Sequence, residues 1–400
     1  MKFMYVNEAV TAVILIKAGL CSVSMAWYSG KKYPGRGSMA VSLGCMYALS
    51  DFLIGYYSNV MWLDCIMLLP VLAYLIEQLV HTGKWRGYCL VLGYCILTSY
   101  YMGFMLCTFA AFYYLAELAA AESGRRPEKI RFSLLKFAGA SVAGAGLAGI
   151  TLIPGIAAVS RTAAAEEAGT GLSGVYGDIW KQLGALFEDS LSFVKSGDQG
   201  DVNLYCGCAV LLFAGLIAAE GFCIVVGIKS GNIWGLLLTA GVLAVFFLVM
   251  WTERCICGKL SGHAFCCVEI RKLGCLVLAV LILAETGIHG IVSITDNGTA
   301  NRDIYVESEQ EVCGLLESAG VDQVDYRAAI VNPLVRNEEM LYQLNGISMY
   351  SSTNTEEMWD FVKNMGFENL ENRYQYAGAT EVMDMLLGIR YLLCRNTRTL

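Results

Sequence analysis

Asn59-Val-Met-Trp-Leu-Asp-Cys-Ile-Met-Leu-Leu-Pro-Val-Leu-Ala-Tyr-Leu-Ile-Glu-Gln-Leu-Val80 decides the fold class of this chain. The run carries charge only at Asp64 and Glu77. Coiled as a helix at ~1.5 Å per residue it is about 33 Å long, enough to cross a ~30 Å hydrocarbon layer. In lipid every backbone N–H and C=O must be satisfied internally, so only helices and closed barrels span. The run is too long and too continuously apolar for a barrel strand. It therefore reads as a transmembrane helix.

Similar runs lie on both sides of it. Before it come Asn7–Tyr28 and Ser38–Tyr57, the latter interrupted by Asp51. After it come a short Trp85–Thr98, then Tyr100–Ala120, Phe137–Val159, Leu204–Ile228, Ile233–Trp251 and Leu273–Ile294. Together they predict an all-α polytopic transmembrane bundle of about nine helices. Composition agrees: 56% of the 400 residues are hydrophobic and 16% charged, against ~45–50% and ~25% in soluble domains. The net charge of −7 comes mainly from the polar segments, and no basic face suited to nucleic acid is present. Most of the sixteen cysteines, among them Cys21, Cys45, Cys65, Cys89, Cys95, Cys107 and Cys223, fall inside apolar runs. There a free thiol acts as a small hydrophobe, and no disulfide framework is implied. No cleavable signal pattern precedes the first span.

Residues 1–295 read as the membrane domain, with a polar segment at 161–203, and residues 296–400 as a small soluble α+β domain. Lys and Arg concentrate at Lys31–Arg36, around Lys84–Arg86 and at Arg125–Lys136. Alternating spans put all three on one side, the cytoplasm, and the acidic segment 161–203 outside. The rule then breaks, because Arg271 and Lys272 precede the last span from the wrong side. A span missing from Thr252–Lys272, or an eighth segment that does not cross, would repair it. Gly139, Ala143, Gly144, Ala145, Ala148 and Gly149 let the Phe137–Val159 segment approach a neighbour closely. In the tail, Ser308 with Glu311 and Thr353 with Glu356 read as capping boxes. Tyr326–Val331 and Met340–Ile347 read as strands.

Five stretches carry a resemblance. They are Ser58-Asn-Val-Met-Trp-Leu-Asp64 with Leu68-Leu-Pro70, Ser99-Tyr-Tyr-Met-Gly-Phe-Met105, Asn203-Leu-Tyr-Cys-Gly207, Leu344-Asn-Gly-Ile-Ser348 with Ser351-Ser352, and Leu386-Leu-Gly-Ile-Arg-Tyr391. In this order they resemble the YfhO-type bacterial membrane proteins, which are grouped with the GT-C glycosyltransferases. The resemblance implies a multi-pass bacterial cell-membrane protein with a GT-C-like bundle. It further implies handling of polyprenyl-phosphate sugars, modification of a cell-envelope polymer, and an extracytoplasmic C-terminal domain. It also implies a shortened member: the family's first outer loop, with the acid expected to activate an acceptor, has no counterpart before the first span, and a final helix has none after Leu400. Low transferase activity of this chain alone is the matching expectation. A non-catalytic scaffold, partnered by a larger paralogue or a second copy, is the alternative, and a transporter the third.

Asp64 is the leading substrate-binding candidate. A lone acid in an apolar helix costs roughly 2.5 kcal/mol or more to insert and therefore has either a partner or a task. Binding a sugar, or a phosphate through a metal, competes with a structural hydrogen bond to a neighbouring helix. Asp51, Glu220 and Glu285 face the same choice, and Glu285 with His289, four apart, share a helix face. Trp62, Tyr100 and Tyr101, together with Tyr56 and Tyr57, read either as a platform for a sugar ring or as an interfacial aromatic belt. The acids Asp178, Glu188, Asp189, Asp198 and Asp201 could hold a divalent cation or simply be solvated. Cys255, Cys257, His263, Cys266 and Cys267 are zinc-type ligands at spacings foreign to standard fingers. No catalytic residue and no certain cofactor follows from the sequence.

Overall fold

The structure is a computed structural model that describes residues 2–35, 37–121, 127–159, 264–297, 302–318, 326–351, 355–370, 373–376 and 380–394, with isolated positions between 244 and 252. The chain divides into two compact units, one taking in Met1–Leu152 and the helix that ends before Thr299, the other taking in Ala300–Leu400.

The first unit is helical. Its elements are α1 (Lys2–Lys32), α2 (Gly37–Ala48), α3 (Asp51–Tyr56), α4 (Val60–Thr82), α5 (Arg86–Thr98), α6 (Tyr100–Ala121), α7 (Pro127–Leu147) and, much later in the chain, α9 (Ala264–Asn297). Helix α8 (Gly149–Val159) follows α7 across a one-residue turn at Ala148. Among the described residues, six segments are long and apolar enough to cross a membrane: Glu8–Lys32, Gly37–Tyr56, Val60–Thr82, Tyr100–Ala121, Ile130–Leu147 and Lys272–Thr295. Arg86–Thr98 is a short apolar helix, as its sequence implies. The expected spans Leu204–Ile228 and Ile233–Trp251, and the segment 161–203, lie outside the described residues. Ile16, Phe104, Phe112 and Val142 are exposed on the helix surfaces, as side chains facing lipid are.

Two boundaries differ from the expectation. The segment expected at Phe137–Val159 is two helices: the candidate span is Ile130–Leu147, and Gly149–Ala158 is a shorter apolar helix. Pro127 stands at the first helical position, where its missing N–H is harmless, so α7 starts ten residues early and absorbs Lys129, Arg131 and Lys136. Arg271 and Lys272, expected in a loop, lie within α9, which begins at Ala264.

Helix α4 packs against α1, α5 and α6. Its Leu63, Cys65, Leu72, Ile76 and Leu79 join Cys21, Leu92, Cys95, Leu106, Ala110 and Tyr114 in one apolar core. Cys21, Cys65, Cys89 and Cys95 are buried there as small apolar side chains. The small-residue expectation holds on one face of α7. Ala140 and Ala148 are buried, and a Cβ on Gly144 would lie 3.0 Å from the Cys89 carbonyl oxygen of α5. Gly93 of α5 answers it, since a Cβ there would lie 2.9 Å from the Gly144 carbonyl oxygen.

The second unit contains α10 (Arg302–Ser318), β1 (Arg327–Val331), α11 (Glu338–Leu341), β2 (Met349–Tyr350), α12 (Glu356–Asn364), β3 (Glu368–Leu370), β4 (Arg373–Gln375), α13 (Glu381–Leu387) and β5 (Ile389–Cys394). Strands β1 and β5 pair in parallel, and β2-β4-β3 form an antiparallel sheet. Side chains alternate across a strand, so β1 feeds two cores. Ala328 and Ile330 pack with Leu316, Tyr326, Tyr342 and Leu344, while Ala329 packs with Val362, Phe367, Tyr374 and Tyr376.

Three tail expectations are corrected. Ser308 lies inside α10, which starts six residues earlier, and is no cap. The cap of α12 is Thr355, whose hydroxyl accepts from the Met358 N–H at 3.4 Å. Met340–Ile347 is not a strand but the end of α11 and a loop. Left-handed Asn337 and Gln343, at φ 60° and 58°, break the extended chain on either side of α11. The Leu386–Tyr391 stretch has a local physical reason: Gly388, at φ 69°, ends α13 and turns the chain straight into β5.

Candidate functional site

Among the described residues, α4 carries two polar clusters of the helical unit. At the N-terminal end of α4, Asp64 receives the Lys17 ammonium of α1, Nζ to Oδ2 at 2.9 Å. Lys17 also donates to the Val60 carbonyl at 3.0 Å. The pair is four-fifths withdrawn from solvent, the side chains being 20% and 16% exposed. On its other flank α4 presents Trp62. Two residues advance a helix by ~200°, so Trp62 and Asp64 point to different sides. The Trp62 ring stacks on Tyr101 with centroids 5.6 Å apart and an interplanar angle of 29°, and meets Tyr56 at 5.5 Å. Phe52 extends the row behind Tyr56.

The structure thus gathers Trp62, Tyr101 and Tyr56 into one aromatic row and places Asp64 in an ion pair on another face. Tyr100 begins α6 and is exposed. Asp51 opens α3 after Ser50, and its side chain lies outside the described residues, as do Glu220, the acids from Asp178 to Asp201, and the side chains of Cys255, Cys257, His263, Cys266 and Cys267. Among the described residues no group of three His, Cys, Asp or Glu side chains could hold a metal ion. His289 meets the Ser293 hydroxyl at 3.2 Å on α9, whose Glu285 is buried.

The second cluster lies at the C-terminal end of α4. Glu77 Oε1 accepts from Lys32 Nζ at 2.6 Å, Tyr28 Oη at 2.7 Å and Tyr113 Oη at 2.6 Å. Lys32 lies 3.6 Å from Glu117, which His81 approaches at 3.7 Å. Three helices, α1, α4 and α6, are tied by this network. Sequence reading missed it, and missed Lys17. The signal for Lys17 was available, since a lone cation in an apolar run is as costly as the lone acid it meets. Lys17 and Lys32 on α1 match Asp64 and Glu77 on α4 in the same order, so the two helices run parallel.

The C-terminal unit holds a third buried polar group. Glu339 Oε1 accepts from the Ile330 N–H at 3.0 Å and the Ser348 hydroxyl at 3.0 Å, and its Oε2 accepts from the Ser348 N–H at 2.9 Å. Burial raises this carboxyl above its ordinary range, and those donors pull it back part of the way. Ser348 ends the Leu344–Ser348 stretch, so that stretch is the loop wrapped around a buried carboxylate.

A family model described as bacterial membrane protein YfhO matches residues 2–223 and 212–399 of the chain. No curated protein and no solved structure matches it.

Proposed function

The chain belongs to the YfhO family of bacterial membrane proteins, and on that premise we propose that this multi-pass protein handles a polyprenyl-phosphate-linked sugar at the N-terminal end of α4. The observation that carries the reading is the Lys17–Asp64 pair, 2.9 Å apart within apolar helices. An ammonium in lipid suits a lipid-borne phosphate. Once Lys17 turns to that phosphate, Asp64 is free to accept from a sugar hydroxyl. The Tyr101 ring, stacked on Trp62 and 48% exposed, keeps one face for a sugar ring. GT-C-like architecture and transfer to a cell-envelope polymer come to this chain from the family resemblance.

A scaffold is the second reading, favoured by Lys17 also holding the Val60 carbonyl, which makes the pair a strut between α1 and α4. Titration of the protein in nanodiscs with a polyprenyl-phosphate hexose separates the two. Saturable binding, weakened about tenfold (~1.4 kcal/mol) by the paired change Lys17→Met with Asp64→Leu, is expected. No binding, or binding indifferent to the paired change, leaves the strut.

The Lys/Arg distribution supports an orientation with the Lys31–Arg36 and Arg125–Lys136 segments inside, and the resemblance supports an outside C-terminal unit. Protease added to intact cells is expected to cut within residues 300–400. Cleavage only after lysis would put that unit in the cytoplasm.

A further inference from the structure

The C-terminal unit contains a recess of about 310 Å³, counted to its open mouth. Two arginines line it, Arg336 and Arg373. The β2–β4 register sets Tyr350 opposite Arg373, and residues directly opposed in an antiparallel pair project from the same face. The Arg336 guanidinium carbon lies 4.5 Å from the centroid of the Tyr350 ring. Arg336 therefore lies over Tyr350, and Arg373 projects from the same face of the sheet opposite it.

That arrangement is held firmly. Asn337, at φ 60°, clamps the Tyr350 backbone: Nδ2 donates to its carbonyl at 3.0 Å, and its N–H donates to Oδ1 at 2.6 Å. Asparagine is one of the few non-glycine residues that tolerate this left-handed region. The acids lining the recess are already engaged inward. Glu338 accepts from the Leu334 N–H at 2.7 Å and the Tyr342 hydroxyl at 2.8 Å. Glu339 is held by Ile330 and Ser348. Among the described residues, ion pairs within 4.0 Å involve Lys17, Lys32 and His81, and neither of these arginines. Two like charges lining one recess without a carboxylate partner repel, and an oxyanion placed between them removes the repulsion and meets a fork of N–H donors.

We propose that Arg336 and Arg373 bind an oxyanion, a phosphate or carboxylate group carried by a small ligand. The recess is small and open to solvent, so it admits a single anionic group at its mouth. This inference is independent of the polyprenyl-phosphate reading and can stand if that reading falls.

The test titrates the full chain, in phosphatidylcholine nanodiscs at ~0.15 M salt, with inorganic phosphate and separately with acetate. Saturable binding of at least one is expected. Arg336→Ala and Arg373→Ala should each weaken it about tenfold or more. Arg390→Ala, which removes a charge from β5, should leave it unchanged. Arg336→Lys and Arg373→Lys, which keep charge but lose the planar fork, should fall between and remain informative if the alanine variants do not fold. An affinity that drops when phosphatidylglycerol replaces the neutral lipid identifies a headgroup as the occupant, and one indifferent to the lipid identifies a free anion. Absence of saturable binding to the unaltered chain, wild-type affinity in Arg336→Ala and Arg373→Ala, or an equal loss in Arg390→Ala would overturn the site.

Discussion

Asp64→Leu alone, or Lys17→Met alone, is expected to destabilise the helical bundle by about 3 kcal/mol, and the two changes combined to recover most of that loss. Each single change leaves one charge in an apolar setting, with its partner's 2.9 Å contact removed. Breaking a buried pair costs about 3–5 kcal/mol for this reason, whereas exchanging both partners for apolar groups is often neutral. The value sits at the low end because both side chains retain some solvent, 20% and 16%. Reversible unfolding in mixed detergent micelles, run as a double-mutant cycle, measures the coupling. Single variants within ~0.5 kcal/mol of the unaltered protein, or a cycle that closes additively, would show that the pair carries no such energy. The same paired variant serves the ligand titration, because it removes both charged groups while keeping the bundle intact.

Gly346→Ala is expected to destabilise the C-terminal unit by about 3 kcal/mol or more. A Cβ at this position would overlap the Glu339 Cβ and lie 2.9 Å from the Glu339 carboxyl carbon. The carboxylate cannot swing clear without surrendering its bonds from Ile330 and Ser348, and a buried carboxylate stripped of donors costs a further ~1–3 kcal/mol. Gly314→Ala is the control. It lies inside α10 with nothing within 4 Å of its would-be Cβ, and a helix-interior alanine is worth ~0.5–1 kcal/mol over glycine. Protease resistance of the C-terminal unit against temperature, measured on the full chain, reports both. Equal resistance of Gly346→Ala and the unaltered protein would show that the loop yields freely and that the Glu339 contacts are not constraining.

The membrane-spanning character was legible because it depends on composition over a window, and a run such as Val60–Thr82 has one low-energy solution in lipid. Family membership was legible for a related reason, since short ordered stretches survive as text. Two of those stretches have local physical causes: Gly388 between α13 and β5, and Gly346 and Ser348 around Glu339. Asp64 could be singled out from the sequence because an acid in an apolar run is conspicuous, and Trp62 and Tyr101 because aromatics cluster where spans begin.

What the sequence by itself determined, then, is which runs are apolar enough for lipid and which isolated charges within them must be compensated somewhere. It could not determine the partners. Lys17 and Asp64 are 47 residues apart, and only the packing of α1 beside α4 brings them to 2.9 Å. Tyr28, Glu77 and Tyr113 come from three helices in the same way. In the tail, Met340–Ile347 carries strand-like residues, yet the burial of Glu339 and the left-handed turns at Asn337 and Gln343 outweigh that propensity and make it a loop. Local preference is worth tenths of a kcal/mol per residue, whereas a buried charge or an unpaired donor is worth several, so wherever the two conflict the tertiary structure decides.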